Sequence, residues 1–308
     1  MDDPNRDLGF GSRVAQQSRR RFLNRDGSFN VERRGLSPLR SLSVYHALLT
    51  MSWTRFFVLV VLGYFATNLA FGLGYVLCGP GALGGSTVAT FGGRFGEAFF
   101  FSVQTLATIG YGSLSPRGLP ANLLVTVEAL LGLLGFALVT GILFARFSRP
   151  TARVVFSDRA VIAPHRGGTA LLFRLANERS NQLLEVQTTV TLSRMEEVGA
   201  TRVRRFYPLA LERSRVMFLP LHWVCVHPID DASPLRGETP ESFEACDAEI
   251  LILLTAVDET FSQTVHTRGS YKPHEVVWGA RFRDMFLSSD DDGIVRIDLR
   301  RLHEIERL

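Results

Sequence analysis

The chain has 308 residues, with 34 Arg and Lys against 30 Asp and Glu and a net charge of +4. That length allows about two domains, and so mild a basic excess gives no case for a nucleic-acid partner. All basic residues but Lys272 are Arg. Cys78, Cys225 and Cys246 form no spaced framework and read as free thiols in a reducing compartment.

Residues 1–36 read as a flexible, cytoplasmic N-terminal segment; residues 1–52 carry nine Arg against five acids. In "SPLRSLSVYHALLTMSW", residues 37–53, Leu39, Leu42, Tyr45, Leu49 and Trp53 recur at helical spacing, with Arg40 and His46 elsewhere on the turn. This pattern predicts an amphipathic helix lying in a membrane interface.

From 54 to 150 the sequence predicts a transmembrane domain. Phe56–Cys78 is 23 residues without a charge; at ~1.5 Å per residue it reaches roughly 34 Å, enough for a hydrocarbon core. A first span is expected over about 54–78. Leu119–Phe147 is a second such run, broken only by Glu128 and Arg146, so a second span is expected over about 119–147. Neither resembles a cleaved leader. Arginines precede the first span and follow the second, while residues 79–118 hold only Arg94 and Arg117 as basic groups. The bias places both termini in the cytoplasm, and an inner (plasma) membrane is the expected location.

Between the spans lies "FGEAFFFSVQTLAT", Phe95–Thr108, too short to cross and too apolar for an exterior loop. A re-entrant helix over about 95–107 is expected. The stretch that follows, Thr108-Ile109-Gly110-Tyr111-Gly112, has no charge and two glycines. Non-helical backbone at that depth must be enclosed by protein or line a water-filled cavity. Gly110 and Gly112 can take positive φ, which turns carbonyls to one side as ligands for a cation. One chain supplies one loop, so a ring of carbonyls requires a symmetric homotetramer.

Residues 151–308 read as all-β. "EVQTTVTLS" alternates Val186, Thr188, Val190 and Leu192 against Gln187, Thr189, Thr191 and Ser193. "ALLFRLAN", "HWVCVHP" and "AEILILLTAV" are further strands divided by turn residues, which suggests a β-sandwich. His222, His227 and His274 lack metal spacing and read as structural. "SSDDDG", residues 288–293, reads as a solvated turn. No phosphate loop, nucleophile elbow or metal motif stands out, so no enzyme and no cofactor beyond the permeant ion is expected.

"TLATIGYG" is similar to the potassium-channel filter signature. With "GILFARFSRP", "HPIDDASPL" and "SYKPHEVVWGARF", the chain resembles the inward-rectifier potassium channel family, most of all its prokaryotic branch, from about Ser37 to Phe286. The resemblance implies K+ bound at the filter carbonyls of Thr108, Ile109, Gly110 and Tyr111, with Gly112 closing the filter. It implies an immunoglobulin-like cytoplasmic domain forming a tetrameric ring, and a slide helix before the first span. Cavity positions match Ala129, Leu133, Phe136, Thr140 and Phe144, whose spacing keeps them on one helical face; Phe144 is the candidate inner gate. Gly132 and Gly135 serve as hinges or as sites of close helix packing. Trp53, Arg55, Arg146, Arg149 and Arg153 would meet an anionic lipid head group, or reflect boundary topology alone. Glu259–Tyr271 resembles an apical loop, where His266 is a tuning group or an exposed bystander.

Three positions depart from the family. Phe136 replaces the acidic residue of strongly rectifying relatives, which argues against strong rectification. Gln104 and Leu114 replace a Glu–Arg pair that braces the filter in some relatives. Gln104 and Glu128 are then the candidate supports, Glu128 acting functionally or as a protonated or hydrogen-bonded structural carboxylate. Cys78 has no extracellular partner. The competing readings are a poorly selective cation channel and a membrane-anchored β-sandwich receptor.

Overall fold

The computed structural model describes residues 21, 23–24, 27–28, 30, 44–148, 153–179, 181–199, 201–287 and 294–308. The chain divides into two compact units, one within Arg34–Arg149 and one formed by Pro150–Leu308 with the N-terminal residues to Arg33.

The first unit is helical. Helix α1 (Val44–Thr50) stops where Ser52 caps α2 (Trp53–Leu77), its Oγ accepting from the Arg55 N–H at 3.4 Å. Residues 37–43 of the expected interfacial helix lie outside the described residues. Helix α3 (Phe91–Leu106) begins at Thr90, whose hydroxyl accepts from the Gly93 N–H at 3.3 Å. It therefore starts earlier than the expected 95. Gly92 and Gly93 weaken the sequence signal, and the cap supplies what they lack. Helix α4 (Gly118–Phe147) has 30 residues and α2 has 25, roughly 45 and 38 Å at 1.5 Å per residue. Both are long and apolar enough to cross a membrane. The 16 residues of α3 give only about 24 Å, too few to cross. Strand β1 (Leu83–Gly84) pairs antiparallel with β2 (Ser115–Pro116), and the Arg117 N–H donates to the Ala82 carbonyl at 2.7 Å. These bonds tie together the two loops that flank α3.

The second unit is a sandwich of two five-stranded sheets. The first runs β11 (Gln263–Tyr271), β10 (Glu249–Asp258), β6 (Leu183–Val198), β7 (Thr201–Leu209), with β8 (Arg215–Phe218) also on β6. The second runs β12 (Val276–Trp278), β4 (Ala160–His165), β5 (Gly168–Asn177), β3 (Val154–Phe156), with β9 (His222–Pro228) on β5. Among the described residues only β12 pairs parallel, on β4. A short helix α5 (Pro240–Ala245) and the antiparallel pair β13 (Ala280–Phe282) and β14 (Ile305–Arg307) belong to the same unit. The alternation of β6 holds: Val186, Thr188, Val190 and Leu192 are buried. Val186, Val190 and Leu192 join Leu171, Phe173, Leu175, Ile250, Ile252 and Leu254 in one core between the sheets. Leu23 adds to this unit, buried against Phe206 and Leu251.

One reading changes here. Glu259–Tyr271 is not mainly a loop; the turn ends before Gln263, and the rest is β11 paired along β10. His266 stands on that strand, its Nδ1 3.1 Å from the Thr255 hydroxyl across the pair. The "SSDDDG" turn lies outside the described residues.

Candidate ion-conduction site

The site is built at the C-terminus of α3. The last turn hands its carbonyls to the loop: Ala107 N–H donates to Val103, Thr108 N–H to Thr105 at 3.0 Å, and Ile109 N–H to Gln104 at 2.7 Å. Gln104 thus supports the loop through its backbone carbonyl. Beyond it the chain alternates. Thr108, Gly110 and Gly112 have φ of 57°, 58° and 79°, while Ile109 and Tyr111 do not appear among the positive-φ residues. Alternate left- and right-handed residues turn successive peptide planes the same way, as in anion-binding nests with the polarity reversed. Such a pattern is able to present a file of carbonyls on one side of the chain. Glycine takes this conformation freely. Thr108 does not; a β-branched residue at positive φ marks strain that surrounding structure must hold.

The loop owes little to its own side chains. Tyr111 is 76% and Ile109 49% exposed in the single chain, and an ideal Cβ on Gly110 or Gly112 meets nothing within 4 Å. The constraint on these glycines is conformational rather than steric.

Behind α3 lies a buried polar network that unites three helices. The Tyr75 hydroxyl of α2 is 2.5 Å from Glu128 Oε2 of α4. The Ser102 hydroxyl of α3 contacts both Glu128 Oε1 and Asn68 Oδ1, the latter at 3.0 Å. The Asn68 amide donates to the Tyr64 carbonyl at 2.8 Å. All four side chains are at most 1% exposed. Sequence reasoning singled out Glu128 alone. The missed signal for Asn68 is a lone amide inside a run of 23 uncharged residues.

Gly132 sits one turn after Glu128, and a Cβ there would lie 2.7 Å from the Leu106 carbonyl oxygen. It is a point of close approach between α4 and the end of α3. At Gly135 the same test meets nothing within 4 Å. Ala129, Leu133, Phe136, Thr140 and Phe144 all lie exposed in the single chain. The buried row of α4 is instead Ala121, Glu128, Gly132 and Ile142.

At the other end of the unit, Arg146 is committed inward. Its Nη1 donates to the Leu48 carbonyl and its Nη2 to that of Met51 at 2.7 Å. The guanidinium lies 4.5 Å from the Trp53 ring centroid and 4.8 Å from that of Phe56. Trp53 also meets Phe147 with centroids 4.9 Å apart. Arg55 is exposed, as is Arg153 in the other unit; Arg149 lies outside the described residues. Among the described residues no group of three or more acidic, His or Cys side chains is placed to hold a metal.

Comparison with known proteins places the chain in a family. Residues 154–308 match the family described as the inward rectifier potassium channel C-terminal domain, and residues 58–149 match the ion channel family. The inward rectifier potassium channel Kirbac3.1 of Paramagnetospirillum magnetotacticum is 45% identical over 92% of this chain and 95% of its own. The G protein-activated inward rectifier potassium channel 3 of mouse is 29% identical over 94% of this chain and 78% of its own. The ATP-sensitive inward rectifier potassium channel 12 of mouse is 26% identical over 96% and 74%.

Proposed function

Because the chain belongs to the inward rectifier potassium channel family, in its prokaryotic form, we propose that Thr108–Gly112 is the selectivity filter of a potassium-selective membrane channel. One observation carries the assignment: positive φ at Thr108, Gly110 and Gly112, which aligns backbone carbonyls to replace the hydration shell of K+. Four identical chains close the ring, and α3 directs the negative end of its dipole toward the ion below the filter. No cofactor or catalytic group takes part. The protein occupies a cell inner membrane with both termini cytoplasmic, and the β-sandwich lies on that side as the gating domain. Phe144 is the inner gate, four rings closing the pore by dewetting. Arg55, Arg149 and Arg153 serve an anionic lipid head group, and Trp53 joins them at the boundary. Arg146 contributes less, since both its Nη atoms are spent on backbone carbonyls. Phe136, an apolar residue at the cavity position, argues against strong rectification.

Rubidium uptake into liposomes tests the reading. Wild-type uptake is expected to be blocked by barium and suppressed by potassium but not by sodium. Gly110→Ala is expected to abolish it, because a Cβ disfavours the φ of +58° found there. Wild-type uptake insensitive to barium would end the assignment. In the same assay Phe144→Ala is expected to raise basal flux; unchanged flux would place the gate elsewhere.

A further inference from the structure

The contacts around Glu128 can be settled by counting protons. Three oxygen–oxygen contacts join the network: Tyr75 to Glu128, Ser102 to Glu128, and Ser102 to Asn68. Each needs one proton between its two oxygens. Tyr75 supplies one and Ser102 supplies one, for a hydroxyl carries a single hydrogen. Asn68 supplies none to these contacts. Its amide nitrogen donates to the Tyr64 carbonyl, which fixes the amide so that Oδ1, an acceptor, faces Ser102. The third proton has one remaining place, the Glu128 carboxyl.

We infer that Glu128 is a neutral carboxylic acid and that its proton completes a one-way chain bracing the filter helix; the bracing role rests on the channel reading above. In that chain Glu128 donates to Ser102, Ser102 donates to Asn68, and Tyr75 donates to the other Glu128 oxygen. An ionised Glu128 would leave two lone-pair-bearing oxygens facing each other in a site with almost no solvent. The groups that touch its carboxyl are two hydroxyls, neither of them a cation. Burying an unpaired carboxylate among them is costly, whereas a protonated one satisfies every contact.

The register of the brace follows from helix geometry. Ser102 and Leu106 are four residues apart on α3, and Glu128 and Gly132 are four apart on α4. Each pair shares a helix face. Ser102 meets Glu128 while the Leu106 carbonyl meets Gly132, so two adjacent contacts fix the end of α3 from which Thr108 emerges. Glu128 is therefore a positioning residue. It does by a proton what an ion pair could not do here, with Gln104 and Leu114 at the outer positions.

Glu128→Gln is the decisive variant. A Gln keeps one acceptor for Tyr75 and one N–H donor for Ser102, and so mimics the neutral acid. Its assembly, its selectivity for potassium over sodium and its barium-sensitive rubidium flux are expected to stay within about threefold of wild type. Glu128→Ala, which removes both bonds, is expected to lose tenfold or more in selective flux, about the loss for one to two buried hydrogen bonds. Infrared spectroscopy of wild-type protein in lipid vesicles at neutral pH gives a second readout that does not depend on conduction. A neutral carboxylic C=O band is expected, absent in Glu128→Gln and displaced in Glu128→Asp. Absence of a wild-type band, or failure of Glu128→Gln to assemble as the wild type does, overturns the inference. Failure of the channel reading shows separately, as wild-type flux that lacks selectivity.

Discussion

The two units differ in what they leave exposed. In the sandwich the core between the sheets is apolar, with Phe173, Leu171, Leu192 and Ile252 in it, and buried charges such as Arg204, Glu249, Lys272 and Glu275 are held in ion pairs. In the helical unit large apolar side chains such as Leu62, Phe136 and Phe144 are exposed in the single chain, while Asn68, Ser102 and Glu128 are buried completely. Water drives the first arrangement. In the second, lipid is as apolar as leucine, so burial of apolar surface cannot choose one packing over another. Small residues and hydrogen bonds must choose instead. The sandwich should therefore be sensitive to lost volume, and the helical unit to added volume.

The largest effect is expected from removing volume in the sandwich. Phe173 is 1% exposed and meets the Tyr271 ring with centroids 5.9 Å apart. Phe173→Ala should destabilise this unit by about 3–5 kcal/mol, the transfer cost plus the cavity left behind. Denaturant unfolding of the full chain, followed by the loss of β-sheet signal, measures it. A shift no larger than that of an exposed substitution would break the comparison.

Adding volume in the helical unit should cost less but act on function. Gly132→Ala sets a Cβ against the Leu106 carbonyl, and overpacking of this kind costs about 1–3 kcal/mol. The expected outcome is a less heat-stable assembly with reduced selective flux. Gly135→Ala, which meets nothing in its own chain, serves as the contrast. Equal effects at both positions would favour a shared hinge over the packing role.

What was legible in the sequence follows the same division. The candidate filter stretch could be picked out because its requirement is local: glycines at positions of positive φ, after an apolar helix too short to cross. The strands could be read because alternation of period two is imposed by the sheet itself. One position within β6 escaped the pattern. Ser193 faces the polar side of the alternation yet is buried, because Arg204 of β7 covers it and donates to its hydroxyl at 3.1 Å. The polar brace was mostly hidden. Tyr75 and Glu128 are 53 residues apart and Ser102 and Asn68 are 34 apart; their meeting depends on how three helices are rotated, which an almost uniformly apolar sequence does not encode by periodicity. Arg146 was legible as a boundary arginine. Its bonds to Leu48 and Met51 depend on where α1 ends, and so on the Ser52 cap.

The smallest effect concerns acid and the sandwich histidines. His227 is 4% exposed, its Nδ1–H donating to the Ala210 carbonyl at 2.6 Å and its Nε2 accepting from the Ser233 hydroxyl at 2.8 Å. Those bonds use the neutral ring with one defined tautomer. Burial pushes its pKa down, opposed by the Ala210 bond and by Asp230. His222 is lowered too, first by burial and then by the Arg174 cation, with Asp284 opposing. A histidine whose folded pKa lies below its unfolded value binds a proton more tightly when unfolded. Acid therefore favours the unfolded chain, and stability is lost as pH falls below the unfolded value of about 6.5. The melting temperature of the sandwich is expected to be level from about pH 8 to 7 and to fall between about 6.5 and 5, before the exposed carboxylates titrate. His227→Gln should be less stable at pH 8 but flatter through that window, because one of the two titrating rings is gone. A wild-type melting temperature that rises on acidification through the window would show that the buried rings gain, rather than lose, a partner for their protons.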